Sequence, residues 1–224
     1  MSGQRGPVWI YAKTQTAGRG RRGREWISPP GNLMTTLLLA PQATAQEAAK
    51  LSFVAALAVH DAVSSWLPDS NVQVKWPNDV LVDGKKVAGI LLEASSAGET
   101  TQLPWLAVGI GINLAHAPDL VGYPATFVND HGTAVDVAQA LSVLAQTWET
   151  RLRVWRTSGF EAIRQAWIPI AAGIGQVIEV RLAQERLTGT FETLMSDGAL
   201  SLLLPSGQRR AITAGEVFFA PVGD

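Results

Sequence analysis

The sequence predicts an α+β fold: a mixed β-sheet flanked by helices, followed by a small C-terminal β-barrel. Three observations carry that prediction. Short apolar or alternating runs recur between turn signals as far as residue 112. Stretches with helical spacing of apolar residues interrupt and follow them. After Gly173, five short runs succeed one another with turn residues between them and no helical pattern.

Val8–Ala12 reads as a strand from its β-branched and aromatic residues. A glycine–arginine loop separates it from a second apolar run, Leu33–Leu39. Thr44-Ala45-Gln46-Glu47 has the capping-box pattern, in which a hydroxyl and a carboxylate three residues apart satisfy unpaired N–H groups of a first helical turn. Leu51, Val54, Ala55, Ala58 and Ala62 continue that helix to about Trp66. Val72–Trp76 alternates like a strand and is stopped by Pro77. Val80–Val82 and Lys85–Leu92 form a hairpin, because Asp83-Gly84 supplies the positive φ angles of a tight turn. Trp105–Ile112 is another apolar strand, and residues 115–132 form a loop rich in Pro, Gly, Asn and Asp. Helical spacing returns from about Val135 to Arg156 and again from Phe160 to Trp167, ended by Pro169. The last five strands are Val177–Leu182, Leu187–Leu194, Ala199–Leu204, Arg209–Thr213 and Val217–Phe219. A boundary near residues 169–175 gives a first domain of residues 1–172 and a second of residues 173–224.

The chain has 224 residues, 47% of them hydrophobic and 17% charged, a composition with ample core that excludes disorder and coiled coil. It has no cysteine, which excludes thiolate catalysis, a Cys-based zinc site, haem or iron–sulfur attachment and disulfides. Met1–Pro7 has no apolar signal core and no apolar run reaches membrane-spanning length, so a cytoplasmic location without membrane attachment is expected. The net charge of -1 excludes a uniformly basic nucleic-acid coat but hides an asymmetry. Residues 1–26 hold six basic residues against Glu25 alone, whereas no lysine or arginine occurs between Val87 and Thr150.

That positive charge centres on Gly18-Arg19-Gly20-Arg21-Arg22-Gly23, which has the letters of a dinucleotide-binding loop. Its context fails, because Trp26-Ile27-Ser28-Pro29-Pro30-Gly31 cannot start a helix and no acid occurs between Glu25 and Glu47. A phosphate-binding loop of the Walker type fails too, since Arg24-Glu25 stands where Lys-Ser/Thr is required. What remains is a cationic loop suited to wrapping an anion, its arginines repelling one another until a ligand orders it. Two further constellations follow. Lys75-Trp76-Pro77-Asn78-Asp79 groups a cation, an amide and a carboxylate around a rigid turn. Lys86 stands on an otherwise apolar strand beside Ala88-Gly89, and Gly109 and Gly111 punctuate a strand ending in Asn113; such glycines leave room for a ligand to lie flat on the sheet.

Taken in order, Gln15 to Trp26, Lys75 to Asp79, Lys86 to Leu91 and Gly109 to Asn113 resemble the motifs of biotin protein ligases, over about residues 8–168, and the small β-domain also suits that family. The resemblance implies a catalytic domain like that of class II aminoacyl-tRNA synthetases and an SH3-like C-terminal barrel. It implies that biotin and ATP give biotinyl-5′-adenylate with Mg²⁺ as the ion, and that the biotinyl group then passes to a lysine on the biotin carboxyl carrier domain of a carboxylase. In this sequence Arg21 and Lys86 would be the catalytic cations. Gln15, Gly18, Arg19, Gly20, Arg21, Lys86, Gly89 and Leu91 would bind biotin, and Arg19, Arg21, Trp26, Lys86 and Asn113 would bind the nucleotide, with Trp26 stacked on adenine. Asn78 and Asp79 either orient the metal or the incoming amine, or only shape the turn. His60, His116 and His131 match no motif. Relatives usually carry a Ser-Thr segment before the first motif. None precedes Gln15, which points to a misplaced or trimmed start, and no N-terminal DNA-binding domain or DNA partner is expected. A homodimer through exposed sheet edges is a further expectation. The competing readings are a non-catalytic biotin or adenylate binder, and an Arg-Gly-loop nucleic-acid-binding module.

Overall fold

A computed structural model describes residues 7–95, 102–118 and 124–219; Arg5, which enters the charge pattern, and part of the loop 115–132 lie outside the described residues, as does most of the start Met1–Pro7. Six strands form the first sheet: β1 (Val8–Ala12), β2 (Leu33–Leu39), β3 (Val72–Lys75), β4 (Asp79–Val82), β5 (Lys85–Ala94) and β6 (Leu106–Ile112). Their order is β1-β2-β6-β5-β4-β3. The pairing is narrower than the mixed sheet expected: every strand pair is antiparallel. Among the described residues, parallel pairing is confined to the isolated bridges Val74↔Ala171 and Lys86↔Ala125.

Helices cover one face of this sheet. In β6, Leu106, Val108, Ile110 and Ile112 alternate into the core, so Gly109 and Gly111 point the other way. Helix α1 (Ala45–Ala49) begins at Thr44, whose hydroxyl accepts from the Glu47 N–H at 3.4 Å. The reciprocal half of the expected capping box is not made, because Glu47 pairs with Lys50 at 2.8 Å. Helix α2 (Leu51–Trp66) follows as a separate element after Lys50. It lies against both the sheet and α3 (Val137–Trp167), and ten of its sixteen residues are apolar and buried. The α3 helix presents Ala140, Leu144, Trp148 and Leu152, four residues apart, to that core. Its true capping box is Asp136 with Gln139, and Gly159 at φ 73° divides it near the break expected from sequence.

The second sheet comprises β7 (Val177–Arg181), β8 (Arg186–Leu194), β9 (Leu200–Leu203), β10 (Arg209–Ile212) and β11 (Glu216–Phe219), in the order β10-β9-β8-β7-β11. It wraps around Ile178, Val180, Phe191, Leu194, Leu200, Leu202, Ile212 and Val217. Trp76 Nε1, just after β3, donates to Gly198 O of the small domain at 3.2 Å, and shortly before β7 the Ala172 N–H donates to Val74 O at 2.8 Å.

Candidate active site

The register of the first sheet builds the floor of a cavity. Lys75, Asp79, Gly89, Gly111 and Met34 are successive cross-strand partners from β3 through β4, β5 and β6 to β2. They share one face, opposite the helices, and all but Lys75 line the cavity. Lys86 would fall on the core side by simple alternation with Ala88 and Ile90. A bulge prevents this: Val80 pairs with Ala88 but Leu81 with Lys86, leaving Val87 as the extra residue. The bulge returns Lys86 to the face of Asp79, and Lys86 Nζ lies 2.6 Å from Asp79 Oδ1.

Glycine on the neighbouring strands admits Trp26. A Cβ on Gly89 would stand 2.9 Å from Trp26 Cζ3, and one on Gly111 would overlap the indole. The indole therefore lies flat over these two residues, with Lys86 Nζ 5.5 Å from its centroid. The space read from sequence as a bare ligand shelf is in part the seat of this ring.

The arginine loop folds back on itself above the floor. Arg19 bridges Glu25, the Gly20 N–H donates to Arg24 O at 2.7 Å, and Trp26 N–H donates to Gly18 O at 3.0 Å. Arg22 takes φ 57° in a single turn, Arg21–Gly23. The expected repulsion among the arginines is offset from the small domain. Arg21 Nη1 donates to Gly215 O at 3.1 Å, and Arg22 and Arg24 pair with Glu216. Phe218 is sandwiched in the same wall, with the Arg181 guanidinium 3.8 Å and Lys75 Nζ 5.8 Å from its centroid. Burial pushes the Lys75 ammonium down to about 8, against the pull of Asp79 and with the repulsion of Lys86 and Arg24.

The enclosed volume is about 810 Å³. Gln15, Arg19, Gly20, Arg21, Trp26, Asn78, Asp79, Lys86, Gly89, Leu91 and Asn113 all line it. Gly18 does not: it lies beneath the loop, where a Cβ would overlap Trp26 O and come within 2.9 Å of Gln15 Oε1. Gln15 Oε1 itself accepts from Ser28 Oγ at 2.8 Å. Asn78 and Asp79 divide. Asn78 Nδ2 donates to Ile90 O at 2.5 Å while Ile90 N–H donates to Asn78 O at 2.9 Å, which fastens the turn; Asp79 carries charge to Lys86. Asn113 is buried, and its Nδ2 donates to Thr126 O at 3.1 Å. Arg24, Glu93, Arg181, Glu216, Val217 and Phe218 also line the cavity and were not read from sequence as site residues. Arg24 stood within a quoted motif, but the four from the small domain carry no local signal. Among the described residues, no group of three His, Asp or Glu side chains is placed to hold a metal ion. Asp79 is already paired, so Mg²⁺ fits here as the companion of nucleotide phosphates rather than in a protein cage.

The description "Biotin/lipoate A/B protein ligase family" matches residues 2–113, and "Biotin protein ligase C terminal domain" matches residues 173–220. A biotin–[acetyl-CoA-carboxylase] ligase of Paracoccus denitrificans is 46% identical over 227 aligned residues, covering 97% of this chain and 92% of its own. Biotin protein ligase from Aquifex aeolicus, solved with biotin and ATP, superposes with a TM-score of 0.80 at 27% identity, over 95% of this chain and 88% of that one. The ligase from Leishmania major, solved with biotinyl-5-AMP, gives a TM-score of 0.59 at 25% identity, over 92% of this chain and 88% of that one. On fold, cavity and these matches together, the chain belongs to the biotin protein ligase family.

Proposed function

We infer that the chain is an ATP-dependent biotin–[carboxyl-carrier protein] ligase that works through biotinyl-5′-AMP. The observation that carries this is one cavity lined by the arginine loop, Lys86, Asp79 and Asn113, in a chain similar over its length to a named biotin–[acetyl-CoA-carboxylase] ligase. Two anions must meet there. A carboxylate oxygen of biotin attacks the α-phosphorus of ATP, a new P–O bond forms, and pyrophosphate leaves with the bonding pair. Fixed cations offset the charge that develops. Lys86 is proposed to bridge the carboxylate and the α-phosphate as a point charge; its 2.6 Å bond to Asp79 supports a fixed position. Arg21 and Arg19 are proposed to close over the anions from the loop.

Trp26 is proposed to supply an aromatic face for the nucleotide and Asn113 an edge for the base, with Gln15, Gly89 and Leu91 around biotin. The contact of Trp26 with Gly89 and Gly111 puts its ring on the floor, which supports shared contact with the biotin end as well. In the second step the carrier lysine amine attacks the mixed-anhydride carbonyl, an amide forms, and AMP leaves. Asp79 is proposed to orient that amine, and the hydrogen bonds of Asn78 with Ile90 support a role for Asn78 in the turn.

A carboxylase carrier protein is the acceptor substrate. The same reading divides the chain into a catalytic domain of residues 1–172 and a small domain of residues 173–224, and the second family match, beginning at residue 173, supports that division. It works without DNA, a reading supported by loop arginines turned to the cavity and to Glu216. Half-exposed Ile10 and Tyr11 on the edge strand β1 support a homodimer. No helix among the described residues is long and apolar enough to cross a membrane. Biotin-dependent exchange of labelled pyrophosphate into ATP, followed by biotinylation of a carrier domain, tests the whole reading. A non-catalytic binder or a nucleic-acid module gives neither signal.

A further inference from the structure

His131 matches no motif, yet its neighbours join two side chains of the cavity. It ends a short turn, Val128–His131, and its Nε2 shares a 3.0 Å hydrogen bond with Thr126 Oγ1. Its Nδ1 is 3.9 Å from Asp83 Oδ2, in the turn between β4 and β5. Thr126 is buried and does not line the cavity. Its peptide nevertheless meets both Lys86 and Asn113. The Thr126 N–H donates to Lys86 O at 2.9 Å, and the Lys86 N–H donates to Pro124 O at 2.9 Å. Thr126 O accepts from Asn113 Nδ2 at 3.1 Å, and the Val128 N–H donates to Asn113 O at 2.9 Å. Residues 124–128 thus strap the bulged start of β5 to the end of β6.

A carboxamide can present either its oxygen or its nitrogen to a ligand, and its other partner decides which. Donation to Thr126 O engages one of the two Asn113 Nδ2 hydrogens and so fixes which way the amide is turned, its Oδ1 remaining an acceptor for a ligand's amino group. An acceptor there suits the amino edge of adenine better than the keto edge of guanine. We propose that His131 is a positioning residue for the nucleotide: through the Thr126 hydroxyl it holds the peptide that orients the Asn113 amide and pins the Lys86 main chain. This rests on the ligase reading of the cavity. Without His131, the buried Thr126 hydroxyl loses its partner and the strap is free to shift.

The test uses the full chain with His131→Ala, His131→Gln, Thr126→Val and the double variant His131→Ala/Thr126→Val. ATP affinity is measured by calorimetry, and pyrophosphate exchange gives kcat and the KM for ATP, GTP and biotin. His131→Ala and Thr126→Val should each weaken ATP about three- to tenfold, as expected for one lost buried hydrogen bond. Discrimination against GTP should narrow, while the KM for biotin stays within about twofold, a margin well inside the effect of one hydrogen bond. His131→Gln, which keeps a donor at similar reach, should recover most of the loss. The double variant should be no worse than either single one, because both break the same bond. A merely structural role would lower kcat and leave the ATP-to-biotin ratio alone. Unchanged ATP affinity in both folded single variants, or additive effects in the double one, would overturn the proposal. Calorimetry needs no turnover, so a chain that binds ATP but exchanges no pyrophosphate would remove the ligase reading while still deciding this one.

Discussion

The cations on the cavity floor and those in its wall are held by different means. Lys86 lines the floor, and Lys75, outside the lining, shares its sheet face; both stand on strands whose register is set by a six-stranded ladder, with Asp79 between them and helices packed behind. Arg21, Arg22 and Arg24 stand on a loop whose ties to the rest of the protein include Gly215 O and Glu216 of the small domain. To move the floor, a sheet with a buried core must be disrupted. To move the wall, two partly exposed ion pairs and one hydrogen bond must be released, groups that contribute on the order of 1 kcal/mol each. The difference teaches that one cavity can combine a charge held by a sheet register with charges held by partly exposed loop contacts, and that the small domain supplies partners for the second set.

Substitutions on each side can break that comparison. The largest effect is expected from Lys86→Ala, which should reduce biotin-dependent pyrophosphate exchange by roughly 10²–10³ with the fold intact, the scale of losing one fixed donor to a developing charge. Exchange within a fewfold of the parent would show that the floor is not the seat of the chemistry. Next is Gly111→Val, whose side chain must expel the Trp26 indole. Overpacking of this kind should lower exchange roughly tenfold or more and change tryptophan fluorescence. An unchanged spectrum and rate would mean that the ring does not belong on the floor.

Glu216→Gln acts on the wall alone. It should speed proteolysis of residues 18–26 and raise the KM for ATP by roughly three- to fivefold, with exchange at saturation little changed, in keeping with a partly exposed ion pair. A loss as deep as that of Lys86→Ala would erase the distinction between wall and floor. The smallest activity effect is expected at Lys75, where the readout is stability. Its folded value near 8 lies below the ordinary lysine value, so the unfolded chain binds more protons between about pH 8 and 10.5. The cost of burying the charged ammonium, on the order of 3 kcal/mol, is therefore fully present below pH 8 and is relieved as pH rises through that window. Lys75→Met should raise the melting temperature at pH 7 and flatten its pH dependence between 8 and 10. Parallel curves for the two proteins would contradict the burial argument.

Much of this was legible because local chemistry spoke clearly. The five small-domain strands follow turn signals closely, as at Ser196-Asp197-Gly198 between β8 and β9. Asp83-Gly84 made its hairpin with both residues at positive φ. The helix opened by Thr44 was harder, because Glu47 had a better partner in Lys50 than in the Thr44 backbone. Of the residues named for the site from sequence, all but Gly18 reach the cavity. Gly18 lies beneath the loop instead, because a glycine in such a loop can serve a ligand or a neighbour equally well, and here Gln15 and Trp26 take the space.

By itself, then, the sequence determined which side chains carry charge, where strands and helices begin, and which glycines leave the sheet open, all of them properties of a residue and its near neighbours. Tertiary structure alone decided that Lys86 faces Asp79 rather than the core, since a bulge depends on how two strands pair and not on either strand's alternation. It also decided that Glu216 and Phe218, far along the chain, close the wall around Arg24 and Lys75. Such contacts form only when separate layers pack, and no local pattern encodes the angle at which they meet.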